Sequence, residues 1–302
     1  MCRVCAGARR GPRPKKREVR QVEIHVGERL GIGRGAEVFA CAEGRVLKLQ
    51  RDPASADWLS REMRAQRAAM EAGIRVPQVY EIVEHEGRPG LLMERIEGRD
   101  GLTAIEKQPW KLWAIATGLG RLHRAIARVE APAQLLDFQA VAKHDLTTSD
   151  RIPEKARARL LALLEEAPAG QRLCHMDFHP GNVIVDSKGP VVIDFASARR
   201  GDPVADHVKS LLLFDVGVPP ETSLWVRLIV LMGRRLARAG YVRGYGRLTQ
   251  AETARATLWW PILVGQRLAE GIPEERRPLL KLLARTLRPA EAQLAAARRG
   301  SL

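Results

Sequence analysis

The sequence predicts an α+β fold in two lobes: an N-terminal antiparallel five-stranded sheet carrying one helix, then a larger, mainly helical C-terminal lobe. Three observations predict it. Between Val22 and Met93, short runs of alternating apolar and polar residues are punctuated by glycines, the period-two pattern of half-buried strands. One helix-periodic stretch, Ala54 to Ala72, interrupts those runs. Beyond Pro203 the apolar residues recur at helical spacings instead. With 302 residues, 45 % of them hydrophobic, the chain can bury a sizeable core and exceeds the length at which one core usually divides.

Val22 to Val26 alternates, the glycines Gly31, Gly33 and Gly35 follow, and Glu37 to Cys41 alternates again: strand, glycine turn, strand. Arg45 to Leu49 comes after the turn-forming Glu43-Gly44 and makes a third antiparallel strand. Residues without Cβ let backbone N–H groups approach phosphate oxygens. Gly31 and Gly33 are therefore candidate nucleotide contacts, although an ordinary hairpin turn has the same composition. Lys48 stands in an otherwise apolar strand, where an ammonium needs either an anion or an edge position open to solvent. On the following helix Leu59, Met63 and Met70 share one face, and Gly73 with Pro77 ends the segment. Glu62 lies on that helix, either paired with Lys48 or exposed. The runs Val76 to Val83 and Gly90 to Met93 complete the five strands, and Glu94 to Gly98 leaves the sheet as a short connector.

The densest signal is a polar loop framed by apolar residues, Leu173 to Val185, followed by the run Val191-Val-Ile that ends at Asp194-Phe195. Asp177 and Asn182 share the loop with four residues between them, and Asp194 terminates the next run. Phosphoryl transfer needs these types: hard oxygen ligands for Mg²⁺ from Asn182 and Asp194, and a separate carboxylate, Asp177, to receive the proton of an acceptor hydroxyl. The bland alternative is a hairpin using Asp and Asn as turn formers. His175 and His179 read as braces of the loop. Seven residues separate Asp194 from Asp202-Pro203, which has the form of a helix cap and first-turn proline. Helical spacings continue through Leu224, Ile229, Leu231 and Leu236, then Leu258 to Leu268 and Leu279 to Leu287.

Taken in order, these motifs resemble the aminoglycoside phosphotransferase and choline kinase-like group, small-molecule kinases with a protein-kinase-like fold. The likeness spans roughly residues 22 to 290. Gly31-Ile-Gly33, Val46-Leu-Lys48, Arg61-Glu62, Val76-Pro77, Leu91 to Gly98, Leu122-His123, the Cys174 to Asn182 loop, Ile193-Asp-Phe195 and Gly201 to Asp206 carry it. The resemblance implies ATP or GTP with Mg²⁺, Lys48 on the α- and β-phosphates and paired with Glu62, and adenine against the backbone of Glu94 and Ile96. It also implies Asp177 as base, Asn182 and Asp194 as metal ligands, and Asp206 as a support of the catalytic loop. Residues 21–98 would then be the nucleotide lobe and 99–302 the catalytic and acceptor lobe. Ala36 and Ala196 replace glycines of the protein-kinase pattern, and the short stretch after Asp194 leaves no room for an activation segment, so protein substrates are not expected.

The formal net charge of +15 points first to nucleic acid, yet residues 1–20 hold eight Lys/Arg against Glu18 alone and read as a basic disordered tail. Aromatic content is only 5 % and no recognition module appears, so no specific nucleic-acid partner is expected. From Asp206 to Leu302, sixteen Lys/Arg face eight Asp/Glu, an unwelcoming region for a polycation. The expected partner is a small molecule bearing a hydroxyl: an aminoglycoside by resemblance, or an amino alcohol, sugar or macrolide. Trp259-Trp260 is either core or a sugar-binding wall, and Asp137 and Asp145 are ambiguous in what reads as an interhelical loop. A silent pseudokinase is disfavoured because Lys48, Asp177, Asn182 and Asp194 are all present. No apolar run is long enough to span a membrane. The four cysteines form no disulfide framework, and Cys2 and Cys5 lack a second ligand pair for zinc, which favours a reducing cytoplasm.

Overall fold

Alternation of apolar residues builds the first lobe. In the computed structural model, which describes residues 25–33, 35–52, 56–216 and 224–300, five antiparallel strands lie in the order β1-β2-β3-β5-β4. They are β1 (Val26–Ile32), β2 (Ala36–Cys41), β3 (Arg45–Gln50), β4 (Val79–His85) and β5 (Arg88–Glu94). The first strand thus begins where the alternating run was expected to end, and Gly31 pairs with Val38 inside the ladder instead of sitting in the turn. Residues 1–20, the expected tail, lie outside the described residues.

Strand β3 is central, paired with β2 on one side and β5 on the other, which removes the edge-strand reading of Lys48. Leu47 and Leu49 pack on one face with Val83, while Val46 packs with Leu59, Val79, Leu91 and Met93 under helix α1 (Ala56–Glu71). The buried stripe of α1 is not the expected one. Met70 is exposed, and the inward residues are Leu59, Glu62, Ala65, Gln66 and Ala69. Two polar side chains are tolerated there because each is bonded, Glu62 to Lys48 and Gln66 to the Pro77 carbonyl.

After the two-residue strand β6 (Arg99–Asp100), the second lobe is helical: α2 (Gly101–Lys107), α3 (Leu112–Ile126), α4 (Phe138–Thr148) and α5 (Glu154–Glu166). Short strands β7 (Arg172–Cys174), β8 (Val183–Asp186), β9 (Gly189–Val192) and β10 (Arg199–Gly201) then carry the polar loops, β8 pairing with β6 and β9, and β7 with β10. Helices α6 (Pro203–Val216), α7 (Leu224–Tyr245), α8 (Gln250–Ala269) and α9 (Arg276–Gly300) follow. Among the described residues no helix is long and apolar enough to cross a membrane.

Asp202 caps α6 as expected, its Oδ1 accepting from the Val204 amide at 3.1 Å. Its other oxygen accepts from Trp259 Nε1 at 2.9 Å, so Trp259 is fully buried in the core of α4, α6 and α8 and is not a cleft wall. Asp145 lies within α4 and not in a loop, and Asp137 is the cap that starts that helix, accepting from the Ala140 amide. A helix between residues 138 and 148 was hard to read because its apolar residues are few, only Phe138, Ala142 and Leu146 being buried.

Helices α3 and α7 meet backbone to backbone through Gly120 and Gly244. A Cβ on Gly120 would lie 2.1 Å from the Tyr241 carbonyl oxygen, whereas one on Gly118 would meet nothing within 4 Å. Gly120→Ala is therefore expected to lower unfolding stability by about 3 kcal/mol, since the obstacle is backbone that cannot rotate away. Gly118→Ala should leave stability unchanged or raise it by up to about 1 kcal/mol through helix propensity. Equilibrium urea unfolding of both variants reads the difference, and equal effects would remove the close-approach argument.

Candidate active site

The sheet lobe and the helical lobe enclose a cleft of about 1070 Å³, and Gly31, Gly33, Lys48, Glu62, Asp177 and Asp194 all border it. Lys48 Nζ donates to Glu62 Oε1 at 2.6 Å and to Asp194 Oδ1 at 2.7 Å, so one ammonium joins β3, α1 and the segment after β9. Burial works against its charge, but the two carboxylates outweigh burial and raise its pKa, so Lys48 is a cation throughout the physiological range. Burial likewise opposes ionisation of Asp194, and Lys48 overcomes it, holding that carboxyl below the usual range.

The loop between β7 and β8 is fixed from behind. Asp206, in the first turn of α6 and 1 % exposed, accepts from the backbone amides of His175 at 2.6 Å and Met176 at 2.7 Å. Its Oδ2 also receives His123 Nε2 from α3 at 2.9 Å. Met176 and Asp194 both adopt the left-handed backbone region, with φ of 63° and 62°, a conformation that L-residues reach only when their surroundings hold them there. Asn182 Nδ2 donates to the Asp177 carbonyl at 2.8 Å and lies 3.3 Å from Asp177 Oδ2. That leaves Asn182 Oδ1 as an acceptor beside the carboxylate. His179 Nδ1 accepts from the Gly181 amide at 3.1 Å, and His175 Nε2 lies 3.2 Å from the Ile193 carbonyl, so both histidines brace the loop.

The profile of the phosphotransferase enzyme family matches residues 26–259. The chain belongs to that family. No curated protein sequence matches it. Among solved structures, this phosphotransferase is similar to a choline/ethanolamine kinase family protein from Mesorhizobium loti, at 16 % identity and TM-score 0.58, with 91 % of this chain and 92 % of that chain covered. It is also similar to the streptomycin–ATP complex of APH(2'')-IIa, at 18 % identity and TM-score 0.55, covering 89 % and 93 %. A third is the GDP and kanamycin complex of APH(2'')-IIIa, at 18 % and 0.54, covering 91 % and 95 %. The fold is that of the kinase-like small-molecule phosphotransferases, and the reaction is transfer of a phosphoryl group to a hydroxyl.

Within the phosphotransferase, Gly31 and Gly33 both border the cleft. Neither Gly31 nor Gly33 has positive φ, and a Cβ on Gly31 would meet nothing, so glycine there keeps the space above the backbone open. Glu94 and Ile96 do not border the cleft; the Glu94 carboxylate accepts from the Gln78 amide at 3.0 Å. The far end of the cleft holds groups that sequence reading missed: Arg199, Lys209, Gln266, Arg267 and Glu270, with Asp145 beside them. Lys209 carried a legible signal, a lysine inside the apolar run Val208 to Phe214, the same signal that exposed Lys48. The others had none.

Behind the loop, His207 stacks on Tyr245 with ring centroids 3.8 Å apart and shares the Tyr241 hydroxyl with His123. Burial first, then the neighbouring His123, push the His207 pKa down to about 3, Asp206 opposing and Arg124 and Arg238 adding to the fall. The sign follows: the folded state keeps His207 neutral while the unfolded chain takes up a proton below its ordinary value of about 6.5. Stability is therefore expected to fall as pH drops from 6.5 toward 3, by up to about 1.4 kcal/mol per pH unit for this group. His207→Phe should keep the stacking and flatten that slope by close to one proton. Urea unfolding at pH 7, 6 and 5 checks it; an unchanged slope would assign the acid sensitivity elsewhere.

Proposed function

We propose that this phosphotransferase moves the γ-phosphoryl group of ATP or GTP to a hydroxyl of a small molecule, with Asp177 as the base. The observation that carries the reading is the convergence on one cleft of Lys48, anchored to Glu62 and Asp194, with Asp177, whose carbonyl accepts from the buried Asn182 amide. The ATP and GDP in the two aminoglycoside phosphotransferase complexes are ligands of those proteins and support a nucleotide here.

The donor set fits Mg²⁺. Asp194 offers a carboxylate with 42 % of its side chain exposed, and Asn182 offers an amide oxygen whose partner nitrogen is already engaged. Both are hard oxygen donors, and two protein ligands leave room for phosphate oxygens. Among the described residues no group of three His, Cys, Asp or Glu could hold a metal without such help. Bound there, Mg²⁺ would neutralise charge on the phosphates.

The chain's own part is positioning. Lys48 supplies a fixed cation for the α- and β-phosphates, and Glu62 keeps it aimed. The open strand at Gly31 and Gly33 admits phosphate close to backbone N–H groups. In this proposal the adenine edge reaches the backbone of Glu94 and Ile96 as β5 ends, although neither residue lines the enclosed volume. Asp177 receives the acceptor hydroxyl proton as that oxygen bonds to the γ-phosphorus and the bond to the β-phosphate oxygen breaks, releasing the nucleoside diphosphate. Residues 21–98 serve as the nucleotide lobe and 99–302 as the catalytic and acceptor lobe. The free thiols Cys41 and Cys174 fit a reducing compartment, the cytoplasm.

Purified protein assayed with ATP and GTP, Mg²⁺ and a panel of aminoglycosides, amino alcohols, sugars and hydroxy acids tests the reading. Asp177→Asn is expected to lower kcat by about 10²- to 10⁴-fold while nucleotide binding persists. Lys48→Ala should weaken nucleotide binding and kcat together, and chelation of divalent cations should abolish turnover reversibly. Acceptor-dependent turnover untouched by Asp177→Asn would displace Asp177 from the role, and failure to bind either nucleotide would sink the proposal.

A further inference from the structure

The acceptor end of the cleft is built from α4, α6, α8 and the start of β10, and its ion pairs define what it can receive. Glu270 is satisfied on both oxygens, Oε1 accepting from Lys209 at 2.9 Å and Oε2 from Arg267. Arg267 in turn forks onto Glu275 at 2.7 and 2.8 Å. Asp145 accepts from the Gln266 amide at 2.9 Å. A ligand carrying several ammonium groups needs several carboxylates free to pair with it, and the acids at this end are already committed, Asp145 least so.

Arg199 is the opposite case. It borders the cleft, forms no ion pair among the described residues, and donates from Nη1 only to the adjacent Ala198 carbonyl at 2.8 Å. Burial disfavours its charge and Arg61 on α1 repels it further, with Asp145 acting in the opposite sense. A half-buried guanidinium with no carboxylate against it, facing open cleft, has its fork of donors available to a planar anion. Nothing in the packing of the fold explains its place there.

From this cleft geometry we propose that the acceptor is a small hydroxy compound carrying one anionic group, a carboxylate or phosphate, that pairs with Arg199 while its hydroxyl faces Asp177. The inference rests on the phosphotransfer reading above and narrows its substrate class. It separates the chain from enzymes whose acceptors are polycations, in spite of the fold they share. Arg199 has a specificity role here; the chemistry stays with Asp177.

The test compares nucleoside diphosphate release with acceptors matched except for charge: hydroxy acids and sugar phosphates, the corresponding amides and neutral sugars, and aminoglycosides. Anionic members are expected to be turned over with the lowest KM, and Arg199→Gln should raise that KM by about ten- to hundredfold, the loss of a charged hydrogen bond, with kcat changed far less. The same variant should leave KM for neutral acceptors unchanged. Because Arg199 is opposed by burial and by Arg61, Arg199→Gln should also leave the unfolding midpoint where it was or raise it, so a misfolded protein would not pass for the effect. Turnover confined to aminoglycosides, or KM for anionic acceptors indifferent to Arg199→Gln, overturns the inference and leaves the kinase standing. Nucleotide turnover with no acceptor of any charge overturns both.

Discussion

The catalytic loop depends on one buried carboxylate. Asp206 lies where a charge would cost several kcal/mol if it were left unpaired, and three donors meet it: two consecutive loop amides and the imidazole of His123. Those amides belong to His175 and Met176, so the carboxylate dictates the backbone direction just before Asp177. Met176 is held at positive φ, a strain of about 1–3 kcal/mol for a residue with a side chain, offset by the charged hydrogen bond its own N–H makes. From Asp206 the network runs on through His123 to the Tyr241 hydroxyl and His207, tying the loop to α3, α6 and α7 at once. The close approach of α3 and α7 through Gly120 and Gly244 is what allows His123 and Tyr241 to meet.

Lys48 plays the corresponding part across the cleft. A buried ion pair of this kind seldom adds net stability, because desolvation consumes the Coulombic gain. Apolar residues at 48 and 62 would pack β3 against α1 at least as well. A charged triad of Lys48, Glu62 and Asp194 fits the proposed nucleotide role: the ammonium is kept charged and aimed, in a place where a phosphate would feel it strongly. The cost falls on the sheet lobe, and the aliphatic packing of Leu47, Leu49, Val46 and Leu91 around it offsets that cost.

How much of this was legible in the sequence follows from how local each signal is. Alternation and glycines revealed the strands, but Gly31 looked like part of a turn when it is a strand residue bordering the cleft. The stripe of α1 was misread because Glu62 and Gln66 are polar yet buried, and their partners lie far away in sequence. Asp177 and Asn182 could be read as a pair because both sit in one loop at a fixed spacing, and the structure brings them into contact. Arg199, Gln266 and Glu270 could not, since Arg199 on β10 and the Gln266–Glu270 end of α8 converge from distant segments, and each looks individually like an ordinary polar residue.

Charge shows the same distinction between sums and places. An excess of basic residues over the C-terminal third argued against polycations from a sum over the whole segment. Most of those arginines lie at the surface, where salt screens a charge within about 8 to 10 Å and its influence on the cleft is small. Two of the basic residues that do reach the cleft, Lys209 and Arg267, are cancelled by Glu270 and Glu275. What survives among the described residues lining the cleft is one guanidinium with no ion-pair partner, Arg199, contributed by the first residue of β10 and absent from any count that begins at Asp206. The field a ligand meets is set by that residue's position and by the pairing of its neighbours, so a chain of nearly any net charge could present the same cleft.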